Sequence, residues 1–412
     1  MGDILHALPA VTALRQAHPG WIIDWVVEPR WRALLTAEHF TAGAKAPPDF
    51  ARISARLKSF PVTELDWPVA EAVAGSSFPQ GLKPRPPAPS THGAAKAAPF
   101  QNAWVADGSA QAAPFQSALS LAQPLVDHMH FAATKEWRKA PLSRETLHGI
   151  TALWRALKKC EYDAVIDLQG AIRSAVVARM AGCQRVIGEA EPRERVARWL
   201  FTERVATRGA HVIEQDVELA SAIAGDDLQP VRPWLPVDPA AETWVNTLLL
   251  PVTAPSVLIN PGAGWGAKRW PVERYAEVAA GLIGSGCHVL VNGGPGEELL
   301  TAAIQSATGG AAMPLACTLA QLIALTRRVA LVIAGDTGPL HLGCALGRPV
   351  VGIYGPTDPS RNGPYGTRFK VLRSAESRRD HARNAEPEGG LLTIEPADVL
   401  RSALELLNPE ND

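Results

Sequence analysis

The run from Leu331 to Gly355, LVIAGDTGPLHLGCALGRPVVGIYG, constrains this chain more than any other feature. An apolar, β-branched stretch ends in Gly-Asp-Thr-Gly, a helix-compatible stretch follows, and PVVGIYG resumes the strand character. The same alternation precedes it: VLIN at 257 to 260, a helix from about Pro271 to Gly284, HVLVN at 288 to 292 and a helix near 297 to 307. Strands alternating with helices in this order predict a doubly wound parallel sheet, whose ligands sit at the carboxyl ends of its strands.

The first half repeats the pattern less regularly. Residues 4 to 17 place Leu5, Leu8, Val11, Thr12 and Leu14 near helical spacing, with Asp3 where an N-cap belongs. WIIDWVV (21 to 27) and DAVIDL (163 to 168) read as strands, the second leading into a helical RSAVVARMAG. Between them, residues 79 to 118 are rich in Ala and Pro, and AAPFQNA at 97 to 103 recurs as AAPFQSA at 112 to 118. This low-complexity block reads as a surface insertion, spanning about 45 to 125 at its widest, and is assigned no role. The Pro-rich stretch from Pro230 to Pro239 separates the halves.

With 412 residues the chain is long enough for two α/β domains, expected at 1–236 and 237–395, with a helix and tail at 396–412. Lys+Arg 40 against Asp+Glu 41 leave no global basic field for nucleic acid. The five cysteines show no CxxC pair and no partnering His spacing, which speaks against a structural zinc site or a disulfide framework and for a reducing cytosol. The amino terminus does not read as a signal peptide, and no stretch approaches the roughly 18 apolar residues of a membrane span. Any membrane contact is therefore expected to be peripheral.

Several residue groups could carry chemistry. Gly335 and Gly338 around Asp336 and Thr337 would let a phosphate approach backbone N–H groups at a helix start, or Asp336 and Thr337 could simply cap the helix. GAGWGA (262 to 267), opening at Gly262, formally fits the dinucleotide fingerprint, yet the following strand HVLVNGG ends without the ribose-binding acid of dehydrogenases. Lys268, just after it, could meet phosphate oxygens or be a solvated surface residue. Glu297 and Glu298 could hold ribose hydroxyls or serve the helix dipole. Asp3 could take a proton from a sugar hydroxyl or be a plain cap. Lys135, Arg138 and Lys139 around Trp137, with Arg193 and Arg195, could meet an anionic acceptor or be solvated.

Taken together, MGDILHALPAVTALRQAHP, DWVVEPRW, KEWRK, YDAVIDLQGAIRSA, PRERVARWLF, NPGAGWGAKRWPVERY, NGGPGEE, GDTGPLHLGCALGRPVVGIYGPTDP and GPYG resemble the bacterial ADP-heptose:lipopolysaccharide heptosyltransferases, most closely the type that adds the first heptose. The resemblance implies a GT-B architecture, two Rossmann-like domains facing across a cleft. The acceptor would lie on the amino-terminal domain and the nucleotide-sugar on the carboxy-terminal one. It implies an inverting, metal-independent transfer of heptose from ADP-heptose, a donor substrate and not a cofactor, to a Kdo residue of lipid A inner core, by a cytoplasmic enzyme peripheral to the inner membrane. By motif position Asp3 would be the general base and Lys268 would stabilise the departing diphosphate. Gly262, Glu297, Asp336, Thr337, Gly338 and His341 would line the donor site, and His6, Lys135, Arg138 and Arg193 would meet the acceptor.

One departure stands out: members of the family carry an apolar strand of about ten residues ahead of the MGD motif, and here that first strand of the amino-terminal domain is missing from the expected architecture. The rival readings are an enzyme adding the second heptose, a non-catalytic ADP-sugar-binding protein with an incomplete first domain, and a nicotinamide dehydrogenase using GAGWGA.

Overall fold

The computed structural model describes residues 1–37, 54–58, 124–250, 252–377 and 386–408. The Ala/Pro-rich block at 79 to 118 and its internal repeat lie outside them. Both halves are built on parallel strands. In the second half, β7 (Ser256–Asn260), β8 (His288–Asn292), β9 (Met313–Leu315), β10 (Leu331–Gly335), β11 (Val350–Tyr354) and β12 (Phe369–Arg373) form one sheet of order β12-β11-β10-β7-β8-β9. Counted within this half, that is the 3-2-1-4-5-6 order of a doubly wound nucleotide-binding sheet, and its switch point falls between β7 and β10.

The first half has two three-stranded sheets. One has the order β2-β1-β3, with β1 (Ile22–Val27), β2 (Ser54–Lys58) and β3 (His128–Phe131); the other is β4 (Ala164–Asp167), β5 (Arg185–Glu189) and β6 (Glu203–Val205). The free edge of β2 runs alongside β4, so the strands follow the sequence β3-β1-β2-β4-β5-β6 across the layer. A central position of this layer is thus held by the backbone of Ser54–Lys58, a piece of the insertion to which the sequence assigned no role.

Helix α1 (Gly2–Ala17) is the element on which both halves meet. Residues Ile4 to Leu14 are buried without a break, which a helix shows when it is covered on all sides. It packs on α5 (Val212–Ala224) and on α10 (Gly338–Ala345) of the second half. One apolar core runs through this contact, from Ile4, Leu8 and Val11 to Leu258, Val332 and Leu340. Asp3 is not the N-cap: the helix starts at Gly2 with Met1 as its cap, and Asp3 stands in the first turn, where a carboxylate suits the positive end of the helix dipole. The Pro-rich linker leads into α6 (Pro239–Leu249), capped by Asp238 and packed on α9 (Leu319–Arg328). The closing helix α12 (Pro396–Leu407) buries Val399, Ala403 and Leu406 against α7 (Val272–Gly284) in the core of the second half.

The loop after β4 is set by Asp167, which is 1% exposed. Its carboxylate accepts from the backbone N–H of Gln169 and Gly170 and from the hydroxyl of Ser174, at 2.9, 3.2 and 2.8 Å. Gly170 adopts φ +64, and a Cβ there would also meet the Arg193 backbone at 3.0 Å, so this turn requires glycine. Asp167→Ala would strand these donors. We expect a loss of about 2–4 kcal/mol in denaturant unfolding; an unchanged midpoint would show that the turn holds itself without this carboxylate.

Candidate active site

The turn after β10 does not use its polar residues as caps. Thr337 is the N-cap of α10 without a side-chain cap bond, and the Asp336 carboxylate is held by two side chains rather than by the helix's first N–H groups. Its Oδ2 accepts from Lys268 Nζ at 2.6 Å, and its Oδ1 lies 3.1 Å from His341 Nε2. Lys268 comes from a short 3-10 turn, Gly266–Lys268, after β7, and its ammonium also stands over the Trp265 ring at 4.7 Å. Burial alone would raise the Asp336 pKa, but the Lys268 ammonium and the His341 hydrogen bond outweigh it and hold the carboxyl well below the usual carboxylate range. The solvated-surface alternative for Lys268 falls away, since its side chain is only 14% exposed.

Glu297 is also more than a dipole partner. Its carboxylate turns back from the start of α8 (Glu298–Ala307) to accept from the Gly294 N–H at 2.7 Å. It lies directly over Gly262, where a Cβ would come within 2.1 Å of it. The loops after β7 and β8 therefore meet at a carboxylate beside the GAGWGA turn. Nearby, at the ends of the same strands, Asn260 Oδ1 accepts from Asn292 Nδ2 at 3.0 Å, while the buried Asn260 Nδ2 has no hydrogen-bond partner.

Across the seam, the first turn of α1 abuts α10. A Cβ at Gly338 would collide with the Met1 side chain at 2.3 Å, and His6 Nε2 lies 3.2 Å from His341 Nδ1. These two histidines are 335 residues apart in sequence. Ionised Asp336 can only accept, so His341 donates from Nε2; singly protonated, it offers Nδ1 as acceptor to the Nε2–H of His6. His6 is 8% exposed, and the space left beside it is about 10 Å³, room for one water at most. In this structure His6 joins the two halves through its contact with His341.

Asp3 is half-buried and accepts from the Gln169 side-chain amide at 2.9 Å, on the loop that Asp167 shapes. The Arg173 guanidinium stands in the same neighbourhood; burial lowers its pKa, while Asp3, Glu194 and Glu28 act to raise it and Arg193 to lower it. Gln169 and Arg173 were not singled out by the sequence, although both lie inside YDAVIDLQGAIRSA. Lys135 and Arg138 are exposed on α2 (Thr134–Lys139), which is tied to the end of β1 by a Thr134 hydroxyl bond to buried Glu28. Arg193 is exposed beside Gly170. The structure thus gathers Asp3, Gln169, Arg173 and Arg193 on one side and Lys268, Asp336, Thr337, Gly338 and His341 on the other, with Gly262 and Glu297 next to Lys268's loop.

Residues 150–391 match the model of glycosyltransferase family 9 (heptosyltransferase). The chain belongs to this family. It is 30% identical over 381 residues to lipopolysaccharide heptosyltransferase 1 of Salmonella typhimurium, covering 91% of this chain and 92% of the relative. It is 28% identical over 250 residues to the lipopolysaccharide core heptosyltransferase OpsX of Haemophilus influenzae, covering 59% and 69%. Among solved structures it is similar to the E. coli heptosyltransferase WaaC with ADP, at a TM-score of 0.62, 22% identity and coverage of 98% and 97%. The glycosyltransferase family 9 protein of Veillonella parvula aligns at a TM-score of 0.64, 17% identity and coverage of 99% and 95%. The GT-B fold expected from the sequence is therefore the fold of this glycosyltransferase, and the dehydrogenase reading is set aside.

Burial also governs the seam's titration. It is the main cause holding His6 well below its ordinary value, with His341 and His211 adding to it. His211 is lowered to about 4 by burial, partly opposed by its bond to the Gly363 carbonyl. Above pH 6.5 both folded and unfolded chains carry neutral His211. Between about 6.5 and 4 only the unfolded chain takes up the proton, so stability falls as pH falls. From pH 7 to 5 His211 alone should cost about 2 kcal/mol. His211→Asn, which can still cap α5, should reduce the pH dependence of the unfolding free energy from urea titrations by that amount; an identical slope in both proteins would mean that His211 takes up its proton equally in the folded and unfolded chains.

Proposed function

We propose that this glycosyltransferase moves heptose from ADP-heptose to a Kdo residue of lipid A inner core, by a single inverting displacement at the seam between its halves. The observation that carries the reading is the approach of two unlike groups: the Asp3 turn of α1 abuts the turn after β10 that holds Lys268. A displacement needs a base at the acceptor hydroxyl and positive charge at the leaving diphosphate, on opposite sides of the sugar carbon.

In this reading residues 1–236 form the acceptor half and 237–395 the donor half, with the 396–412 segment completing the latter. Asp3 takes the proton of the acceptor hydroxyl, oriented by Gln169. Lys268 and the backbone N–H groups of Thr337 and Gly338 receive the charge that develops on the diphosphate. Glu297 binds ribose hydroxyls, and Gly262 leaves room for them. Lys135, Arg138 and Arg193 meet the anionic groups of the acceptor, and the half-buried Arg173 joins them from beside Asp3. Charge neutralisation by Lys268 and N–H dipoles makes a metal ion unnecessary for the transfer step. In this reading the lipid-linked acceptor is met at the cytoplasmic surface of the inner membrane by peripheral association; no helix among the described residues is long and apolar enough to cross a membrane. The relatives named lipopolysaccharide heptosyltransferase 1 and 2 support the substrate class, and the greater coverage by the first type favours first-heptose addition.

The test is ADP release from ADP-heptose with and without Kdo-lipid A, compared with an already heptosylated acceptor. Release that depends on Kdo-lipid A is expected; preference for the heptosylated acceptor would reassign the enzyme to the second transfer. Tight ADP binding with no turnover on either would make the chain a sugar-nucleotide binder.

Two substitutions test the site. Asp3→Ala should lower turnover by roughly a hundredfold or more with little change in ADP affinity, and a wild-type rate would remove Asp3 from the chemistry. Gly262→Ala should displace only the flexible end of Glu297, so the unfolding midpoint stays close to wild type while ADP binds about tenfold more weakly. Undiminished ADP affinity would free Glu297 from the ribose.

A further inference from the structure

A second cluster of chemically capable side chains lies on the acceptor half, away from the seam. Asp24 is on β1, 2% exposed, and β1 pairs in parallel with β3 so that Asp24 stands opposite His128 and Val26 opposite His130. Alternate residues of a strand share a face, which puts Asp24, His128 and His130 on one side of the sheet. On that side α3 (Arg144–Lys159) ends at Cys160, and Tyr162 follows. One oxygen of Asp24, the nitrogen of His130 and the sulfur of Cys160 all lie within 4.8 Å of one another.

We propose that Asp24, His130 and Cys160 form a structural binding site for a divalent first-row transition metal, zinc in the first instance. The donor set is one carboxylate oxygen, one imidazole nitrogen and one thiolate sulfur, the mixture that borderline-soft Zn²⁺ takes. His130 Nε2 is 3.5 Å from Asp24 Oδ2. Bonds of about 2.0–2.1 Å at tetrahedral angles separate two such ligand atoms by about 3.3 Å, so only a small adjustment brings both onto one ion. The Cys160 thiol donates to the Ala156 carbonyl at 3.2 Å, a bond that a metal-bound thiolate would give up, while two further contacts fix Asp24 as outer partners do at metal sites. Asp24 Oδ1 is bonded to His128 Nδ1 at 2.9 Å, and the Tyr162 hydroxyl donates to Asp24 Oδ2 at 2.9 Å. The His130 side chain is 14% exposed and that of His128 64%, which leaves an entry path and a place for a water ligand. Metal binding would release the Cys160 proton to solvent and neutralise a carboxylate buried among imidazoles.

The sequence hid this site because its ligands are scattered over three segments and follow no metal spacing. It stands on β1, β3 and the α3–β4 connection, and β3 leads directly into α2 with Lys135 and Arg138. The ion therefore acts as a staple of the acceptor half and takes no part in the transfer step.

The experiment uses the full chain, stripped with a chelator and titrated with Zn²⁺ and, as a spectroscopic probe, Co²⁺ at pH 7.5. We expect stoichiometric binding, a thiolate-to-cobalt charge-transfer band, and a rise of about 5 °C or more in Tm with saturating Zn²⁺. Cys160→Ser should abolish the band, and His130→Ala should weaken Zn²⁺ binding by a hundredfold or more, while both stripped variants keep wild-type ADP binding as a check on the fold. Absence of stoichiometric binding, a cobalt adduct without the band, or Zn²⁺ affinity unchanged in His130→Ala would each overturn the site.

Discussion

The buried carboxylate of Asp336 organises everything around the candidate active site. A charge at that depth is tolerated only if it is paired and hydrogen-bonded, and Lys268 and His341 do both from opposite sides. Lys268 is thereby fixed at the carboxyl end of β7, next to the switch point of the second sheet, where a long flexible lysine would otherwise wander. His341 is oriented so that its second nitrogen faces the other half of the molecule. One acid on the turn after β10 thus determines both where the cation stands and how the second half addresses α1.

Through His341 the arrangement continues into His6, and with His6 into a helix that also carries Asp3. The spacing matters. His6 lies one turn further along α1 than Asp3, so whatever sets the His6–His341 distance also sets the approach of the Asp3 turn to α10. The continuous apolar core from Leu8 to Leu340 resists sliding of this contact, because packed interiors give by small steps and at a cost. The polar bond adds direction to what apolar packing alone would leave loosely specified. Histidine suits such a place, since its ring can hydrogen-bond through a nitrogen on either side.

Much of the second half was legible in the sequence. VLIN, HVLVN, LVIAG and PVVGIYG are strands near the positions where their apolar, β-branched runs end in Gly, Asn or Asp, since a parallel strand covered on both faces must be apolar throughout. The first half was less legible because its organisation depends on distant pairing. Ser54–Lys58 has too many charges to announce a central strand, and its place follows from β1 and β4 lying on either side. At the site, Lys268, Asp336 and Glu297 were legible as candidates through their Gly-rich surroundings, but their alternatives as caps or surface groups could be resolved only by tertiary contacts. The contact of His6 with His341 was hidden for the same reason: nothing local announces that one histidine meets another 335 residues away. Gln169 and Arg173 were passed over because an amide and an arginine on a helical run carry no local signal of a nearby carboxylate.

In the proposed reaction, the pairing of Lys268 with Asp336 also limits how the second half can handle a diphosphate. The ion pair is neutral as a unit, and a carboxylate in direct contact with phosphate oxygens would repel them. Asp336 must therefore act behind Lys268, holding the ammonium while its outer N–H groups turn to the ligand. The net positive potential has to come from elsewhere, and the start of α10 supplies it: Thr337 and Gly338 lie at the positive end of the helix dipole, and Pro339 in the first turn has no N–H to satisfy. If the leaving diphosphate departs here as proposed, that fixed dipole and the held ammonium need no rearrangement to receive its charge, which is the condition under which electrostatic stabilisation lowers a barrier.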